Sequence, residues 1–251
     1  MMGSFGEFIQ PPINQVALKP KSLTHVEAAA LPLVGVTCVQ AFAEHGLEAG
    51  QRVLVIGASG GVGHIACQYA VLKGADVVGV CSGRNKKFVE GCGVSTVLDY
   101  GAEGDIIEKI HGEAAENGKF HIILDCVSSA DTRDSKVGYR EKILELRDQI
   151  LINPDVHNYV VLGGTPIEWT KAAIKRFTNL NFFSKSFELF WIKMPNSSPA
   201  LYELKELAER EDGRNLRPKI SQELDWSEEN IRVAFDALRS RRATGKIVLK
   251  M

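Results

Sequence analysis

Short, continuously apolar segments alternate with helical patterns between residues 53 and 164, and this alternation limits the possible folds more than any other feature of the sequence. Strands that are apolar throughout and separated by helices are typical of a parallel sheet that helices cover on both faces, with right-handed crossovers. The sequence therefore predicts an α/β fold built on a doubly wound parallel sheet. The predicted strands are VLVIG (53–57), DVVGVC (76–81), STVLDY (95–100), HIILDCV (121–127) and NYVVLGG (158–164).

The connections between these strands carry the predicted helices. Helical patterns occupy residues 63–74, about 85–91 and 104–114, and a long polar stretch that ends at about residue 151. The segment 128–158 is long for a connection within a compact domain. Its core, ILELRDQIL, has the apolar spacing of a helix, so it predicts an extra helical surface beside the sheet.

The two ends of the chain differ from this pattern. Residues 3–20 alternate polar and apolar side chains and contain three prolines, which favours an edge strand followed by a loop. Residues 24–46 predict a helix, a break at Pro32 and a second helix, with Thr24 as the first N-cap. Near the other end, two strands outside the parallel sheet are predicted at 218–224 and 245–251, on either side of a helix at 227–243.

The charge balance and hydropathy exclude some classes of partner. The chain has 251 residues, with 30 basic and 31 acidic side chains and a formal net charge of -1. Nucleic acid is not expected as a partner, because phosphate binding needs a concentrated basic surface. No apolar run approaches the roughly 18 residues that span a bilayer. Because MMGSFGEFIQ also lacks the regions of a secretory signal, the expectation is a soluble intracellular protein.

Five cysteines are scattered along the chain, and several lie inside apolar runs. An odd number of dispersed cysteines favours buried free thiols in a reducing compartment over a disulfide framework. Neither CxxC nor HExxH occurs and the six histidines stand alone, so no metal site is predicted. The cysteines are Cys38, Cys67, Cys81, Cys92 and Cys126.

Three glycines follow the first predicted strand, within IGASGGVG (56–63). Gly57, Gly60 and Gly63 lie between a strand and a helix with the spacing GxxGxxG. Small residues there let the backbone turn sharply and approach a pyrophosphate, whose charge then lies at the helix N-terminus. The alternative is that the glycines serve only the tight turn between strand and helix.

The end of the second strand distinguishes the two nicotinamide dinucleotides. NAD-binding proteins usually place Asp or Glu there, about 20 residues after the glycines, to hold the ribose hydroxyls. This chain has CSGRNKK at that place, and Asp76 begins the strand instead of ending it. The Ser82 hydroxyl and the Arg84 guanidinium suit a 2′-phosphate, which charge-assisted hydrogen bonds would hold. The pattern favours NADP over NAD.

Four stretches together resemble the medium-chain dehydrogenase/reductase superfamily: LPLVGVTCVQAF, IGASGGVG, VCSGRNKKFVEGCGVSTVLDY and the closing ATGKIVLKM. Within that superfamily the chain looks similar to the zinc-independent quinone oxidoreductases of the chloroplast-envelope and reticulon-interacting types, over about residues 3 to 251. The resemblance implies a Rossmann-like domain with NADPH as its cofactor.

The resemblance also implies which residues bind this cofactor. The pyrophosphate would lie at the glycine turn, the adenosine phosphate at the ends of the second and third strands, and the nicotinamide at the ends of the fourth and fifth. The phenylalanine pair would equally fit the core, Thr37 would equally fit a helix cap, and no catalytic residue is assigned. In that order the implied residues are Gly57, Ser59, Gly60, Gly61, Val62 and Gly63; Ser82, Arg84 and Tyr100; and Cys126, Val127, Gly163, Gly164, Phe182, Phe183 and Thr37.

Most of the GroES-like barrel that precedes the nucleotide domain in that superfamily has no counterpart in this sequence. GSFGEFIQ resembles the end of the barrel, so remnant strands of the barrel are expected at both termini. The expected domains are a remnant of the catalytic domain (1–23), the NADP-binding domain (24–216) and a segment returning to the catalytic domain (217–251). An incomplete gene model is the favoured explanation; a short alternative product and completion by another chain are the alternatives.

The activity implied by the resemblance is NADPH-dependent hydride transfer to a quinone or an α,β-unsaturated carbonyl. Little turnover is expected of this chain alone, because catalysis by proximity needs both walls of the cleft. A homodimer is also expected, and the cytoplasm, a mitochondrion and a chloroplast are all left open as compartments. The alternative function is a non-catalytic NADPH-binding sensor or interaction module. A zinc alcohol dehydrogenase is disfavoured, because the sequence has no suitable Cys/His cluster.

Overall fold

The computed structural model describes residues 8–127, 139–154, 158–178, 187–240 and 242–251. Within these ranges the strands are β1 (Arg52–Ile56), β2 (Asp76–Cys81), β3 (Thr96–Asp99), β4 (Ile122–Asp125), β5 (Tyr159–Val161), β6 (Glu188–Leu189), β7 (Ile220–Asp225) and β8 (Lys246–Lys250). The α-helices are α1 (His25–Ala30), α2 (Pro32–Glu44), α3 (Gly63–Leu72), α4 (Lys86–Glu90), α5 (Ile106–Asn117), α6 (Tyr139–Ile150), α7 (Pro166–Thr178), α8 (Ser198–Ala208) and α9 (Glu228–Arg239). Short 3₁₀ turns lie at Ile13–Gln15 and Gly83–Asn85.

Six strands form one parallel sheet in the order β3-β2-β1-β4-β5-β6. The chain enters near the centre with β1, moves outward to β3, and returns to the other side of β1 with β4. The direction of winding therefore reverses between β1 and β4, and such a reversal opens a crevice at the carboxyl ends of the strands. The predicted doubly wound parallel sheet is confirmed.

The strands are apolar on both faces because helices cover both faces. In β1, Val53 and Val55 pack into a core that includes α2, α3 and α8. Leu54 and Ile56, which alternate with them, pack into a second core with α5 and α6. All four side chains are completely buried, which explains the uninterrupted apolar run in the sequence.

Two features near the N-terminus test the sequence prediction. The Thr24 hydroxyl accepts the Glu27 N–H at 3.2 Å and the Glu27 carboxylate accepts the Thr24 N–H at 2.8 Å, so the predicted N-cap is confirmed as a capping box. The predicted edge strand is wrong for residues 8–20, where the described chain forms only a 3₁₀ turn. The physical reason is that its prolines lack the N–H groups that a strand donates. Residues 3–7 lie outside the described chain.

The end of the chain forms a separate two-stranded sheet. Strands β7 and β8 pair in parallel, and α9 makes the crossover between them. Both strands and the helix were predicted, and so was their separation from the main sheet. Helix α1 packs against both strands and also against α2, so it attaches this small sheet to the rest of the described chain.

The connection between β4 and β5 contains α6, as the spacing of ILELRDQIL predicted. This helix packs against α5, where Ile143 and Ile150 are completely buried. Strand β6 was not predicted, because two residues are too few to show a periodic pattern. It lies at the edge of the sheet beside β5.

Candidate functional site

The glycine turn joins β1 to α3 and leaves no room for a side chain at its closest approach. Gly57 has a φ of +81°, a conformation that favours glycine. A Cβ at Gly63 would lie 2.1 Å from the Gly57 carbonyl oxygen, so position 63 also requires glycine. The N–H groups of Gly57 and Ala58 donate to the Val80 carbonyl oxygen at 3.0 and 2.9 Å. These bonds hold the turn against the end of β2.

Backbone donors and one cation meet at this turn. Gly61 and Val62 immediately precede α3, and their N–H groups have no acceptor within the described part of the chain. A Cβ at Gly61 would lie 3.8 Å from the Lys246 ammonium nitrogen. Burial lowers the pKa of Lys246, and a bound anion would offset that effect. Unused N–H groups at a helix N-terminus beside an ammonium group fit a pyrophosphate.

Polar contacts connect the turn to residues 242–246, which we call the C-terminal strap. The Asn85 amide donates to the Ser59 hydroxyl at 3.0 Å, and the Thr244 hydroxyl donates to the Asn85 carbonyl oxygen at 3.2 Å. The Gly245 N–H donates to the Ser59 carbonyl oxygen at 2.9 Å. Asn85, Thr244 and Lys246 were not identified as site residues from the sequence. For Thr244 and Lys246, the only signal in the sequence was the family resemblance of ATGKIVLKM.

Ser82, Arg84 and Tyr100 lie at the carboxyl ends of β2 and β3, as predicted. The pairing of Cys81 with Asp99 brings these two ends together, and the Tyr100 N–H donates to the Cys81 carbonyl oxygen at 3.1 Å. The Arg84 guanidinium donates to the Arg242 carbonyl oxygen in the strap at 3.4 Å. Half of the Tyr100 side chain is exposed, so its ring is accessible to a ligand.

The residues predicted near the nicotinamide at the end of β4 lie beside the glycine turn. A Cβ at Gly57 would lie 2.5 Å from a Val127 methyl group, and the Cys126 N–H donates to the Ile56 carbonyl oxygen at 3.0 Å. The buried Asp125 carboxylate fixes this end, because it accepts the Val127 N–H at 2.9 Å and the Tyr159 hydroxyl at 2.8 Å.

The end of β5 has a second restricted glycine. A Cβ at Gly164 would lie 2.9 Å from a Leu189 methyl group and 3.2 Å from the Glu168 carboxylate. That carboxylate accepts the Thr165 N–H at 2.7 Å, which caps α7. Since β4 and β5 are neighbours, Gly163 and Gly164 lie on the same edge of the sheet as Cys126 and Val127.

Thr37 lies within α2 and does not cap a helix, so that alternative is wrong. Its hydroxyl donates to the Leu33 carbonyl oxygen at 2.7 Å, four residues earlier in the helix. The next residue, Cys38, places its sulfur 3.9 Å from the Val62 carbonyl oxygen, so this part of α2 contacts the glycine turn. Phe182 and Phe183 lie outside the described residues.

His64 is a completely buried polar residue that sequence reasoning did not identify. Its Nδ1 lies 2.7 Å from the Gly60 carbonyl oxygen, and its Nε2 lies 3.1 Å from the Lys219 backbone nitrogen. Because the Lys219 N–H can only donate, Nε2 accepts and Nδ1 carries the proton. Burial, with a smaller effect from Lys246, lowers the pKa of His64 to about 4. A neutral imidazole therefore connects the glycine turn to the segment before β7.

The cysteines are all free thiols, as predicted. Burial raises the pKa of Cys81 and of Cys92 to about 11, so neither is a thiolate at neutral pH. Among the described residues, no cluster of three or more His, Cys, Asp or Glu side chains could hold a metal ion. The same part of the chain has no helix of the length and apolarity needed to cross a bilayer.

Apart from Thr37, the predicted residues that the structure describes thus lie along one edge of the parallel sheet, on both sides of the point where its winding reverses. The glycine turn lies in the middle, with Ser82, Arg84 and Tyr100 on one side and the ends of β4 and β5 on the other. Residues placed in this way at the reversal of a parallel sheet are the arrangement of a dinucleotide-binding domain of the Rossmann type.

Comparison with known proteins agrees with this class. A family model described as zinc-binding dehydrogenase matches residues 61–142. The human protein named NAD(P)H oxidoreductase RTN4IP1, mitochondrial, is 31% identical over 99% of this chain and 61% of its own length. The chloroplast envelope quinone oxidoreductase homolog of Arabidopsis thaliana is 34% identical over 50% of this chain and 39% of its own. The quinone oxidoreductase of Thermus thermophilus, solved also in complex with NADPH, has a TM-score of 0.62 at 24% identity, over 93% of this chain and 68% of that one.

Over nearly its whole length the chain is similar to quinone-oxidoreductase-like proteins of the medium-chain dehydrogenase/reductase superfamily. The predicted resemblance is therefore confirmed. The chain spans about three fifths of the human relative, since it matches 61% of that protein's length.

Proposed function

We propose that this chain binds NADPH and belongs to an oxidoreductase that transfers hydride to a quinone or an α,β-unsaturated carbonyl. The observation that carries the proposal is the glycine turn, where the N–H groups of Gly61 and Val62 have no acceptor among the described residues and the Lys246 ammonium lies beside Gly61. The relatives support the chemistry, because they are named as NAD(P)H and quinone oxidoreductases.

In this proposal, different parts of the site bind different parts of NADPH. The glycine turn and Lys246 bind the pyrophosphate, and Ser82 and Arg84 bind the 2′-phosphate through charge-assisted hydrogen bonds. Tyr100 offers an exposed ring beside the adenosine. The backbone at the ends of β4 and β5 orients the nicotinamide, where the predicted contacts are Cys126, Val127, Gly163, Gly164, Phe182, Phe183 and Thr37.

NADPH supplies the hydride when it is bound, and the protein positions it. Gly57 and Gly164 keep side chains away from the ends of β1 and β5, and Asp125 fixes the backbone between them. The proton for the product comes from solvent or a nearby hydroxyl, and no side chain of this chain is proposed as an obligatory acid.

The proposed domains are a catalytic-domain remnant (1–23), the NADP-binding domain (24–216) and a segment returning to the catalytic domain (217–251). We propose that the 251-residue chain turns over slowly by itself, since proximity catalysis needs a second wall for the substrate. A homodimer in the cytoplasm or an organelle is part of the proposal.

One observation favours a second candidate function, a non-catalytic NADPH-binding module. Strand β7 leaves most of its side chains exposed, as an interaction surface would.

Isothermal titration calorimetry of the 251-residue chain with NADPH and NADH tests the proposal. We expect NADPH to bind, and Arg84→Met to weaken NADPH at least about tenfold more than NADH, because a charge-assisted bond to the phosphate is lost. Lys87→Met is the matched control, because it removes an exposed cation three residues away. Failure of both nucleotides to bind refutes the proposal. Spectrophotometric assays with a quinone and an enone then separate the two candidates: turnover supports the enzyme, and binding without turnover supports the module.

A further inference from the structure

A carboxylate that the proposed function does not use lies against the loop that would bind the 2′-phosphate. Asp99 ends β3 opposite Cys81, which ends β2, so its side chain faces the Ser82–Arg84 loop. A Cβ at Gly83 would lie 2.3 Å from Asp99 Oδ2. The carboxylate therefore occupies the space beside Gly83, and a side chain at this position would displace it.

The two oxygens of this carboxylate differ in their partners. Oδ1 accepts the Gly101 N–H at 2.7 Å, which fixes the orientation of the side chain. Within the described residues, Oδ2 has no hydrogen-bond donor and no cationic partner. The nearby Lys109 ammonium donates instead to the backbone carbonyl oxygens of Asp99 and Ala102, at 2.9 and 3.2 Å. One acceptor oxygen of Asp99 is thus left facing the loop.

A carboxylate and a guanidinium beside the same loop favour different nucleotides, NADH and NADPH respectively. A carboxylate oxygen accepts a hydrogen bond from a ribose hydroxyl, which is how many NAD sites hold adenosine. The same charge repels a phosphate dianion placed there. Arg84 and Ser82 act in the reverse sense, because they donate hydrogen bonds to phosphate.

We propose that Asp99 is a specificity-determining residue, whose Oδ2 accepts an adenosine ribose hydroxyl of NADH and opposes the 2′-phosphate of NADPH. The inference rests on the proposed nucleotide site. It makes the chain a binder of both nucleotides, with a preference for NADPH that is smaller than Ser82 and Arg84 alone would give. From the sequence, the choice between NADP and NAD was assigned to Ser82 and Arg84 at the end of β2. Asp99, in contrast, lies at the end of β3.

The test compares dissociation constants of NADPH and NADH for the wild type and for Asp99→Asn. Asparagine keeps an oxygen for the Gly101 N–H but removes the charge. We expect NADPH to bind about threefold to tenfold more tightly, NADH to bind more weakly, and the gain for NADPH to shrink in high salt, as a Coulombic effect does. Glu103→Gln is the control, since it removes one negative charge from an exposed position of the loop that follows β3, without touching Gly83. Asp99→Ser, which is also uncharged, provides a second variant, and thermal melts verify that each protein is folded.

The possible results separate this inference from the proposed function. A wild type that binds NADPH, together with an NADPH/NADH ratio that Asp99→Asn and Asp99→Ser leave unchanged, overturns the role of Asp99 alone. A change of the same size in Glu103→Gln also overturns it, because the effect would then be one of net charge. If the folded wild type binds neither nucleotide, the proposed function and this inference both fail.

Discussion

The buried imidazole of His64 predicts a loss of stability in mild acid. In the folded protein its pKa is about 4, against an ordinary value of 6.5. Between these two pH values the unfolded chain binds a proton that the folded chain does not bind, so the free energy of unfolding falls as the pH decreases. The difference corresponds to about 3 kcal/mol, at about 1.36 kcal/mol per pKa unit. Above pH 6.5 this group has no effect on the pH dependence.

The perturbation that isolates this effect is His64→Gln, which stays neutral at every pH of the experiment. Urea denaturation at about pH 7.5 and about pH 4.5 gives the free energy of unfolding on either side of the transition. We expect the wild type to lose about 2 to 3 kcal/mol more than the variant across this range. The exposed His25 provides the control, since His25→Gln should keep the wild-type dependence. Parallel pH curves for the wild type and His64→Gln would refute the assignment of a neutral, buried imidazole.

Three further predictions concern other parts of the fold. Gly63→Ala should destabilise the protein by at least about 2 kcal/mol in urea denaturation, because its Cβ would overlap a backbone oxygen at 2.1 Å; an unchanged midpoint would contradict the turn geometry. Arg52→Met should cost about 3 kcal/mol in the same assay, because it leaves the largely buried Glu113 carboxylate, whose side chain is 10% exposed, without this ion pair, and Glu113→Gln in the same background should restore part of the loss. Burial lowers the pKa of His45, but the hydrogen bond and charge of Glu188, the Ala41 carbonyl and the charge of Glu44 together outweigh burial and raise this pKa. His45 therefore stabilises the fold below about pH 6.5, and the effect disappears as the pH rises through the raised value. A proton NMR titration of wild type against His45→Gln would contradict this if the His45 midpoint lay below 6.5.

The main sheet was predictable because β1, β2, β4 and β5 are buried on both faces, whereas β3 is partly buried. Such burial requires an uninterrupted apolar run, and β1 shows it in Val53 to Ile56, which are all completely buried. Strand β6 was missed because a strand of two residues is too short to show a periodic pattern of apolar side chains. The N-terminal edge strand was predicted wrongly because alternation was given more weight than the prolines, which cannot donate to a ladder.

The candidate site was predictable only where its residues are local in sequence. The glycine turn is local, since Gly57 and Gly63 restrict each other across one loop. The contacts of Lys246 with the turn, and of Asp99 with Gly83, join residues that are distant along the chain or lie on different strands. No periodicity encodes such contacts, because they depend on how the strands are ordered and where the strap crosses. His64 was missed for the same reason: its partner Lys219 lies 155 residues further along.

The C-terminal strap has a consequence for the order of events during synthesis. The turn from Gly57 to Gly63 can form as soon as β1, β2 and α3 have left the ribosome, because its nearest restraint is the Val80 carbonyl oxygen. Its final contacts, from Gly245 and Lys246, come from residues made more than 160 positions later than β2. At about 5 to 20 residues per second, the chain spends roughly eight to thirty-three seconds with a formed turn that has no strap. During that interval a nucleotide would meet the N–H groups without the ammonium group, so the proposed tight binding, and the stabilisation that would come with it, would begin only after the strap has emerged.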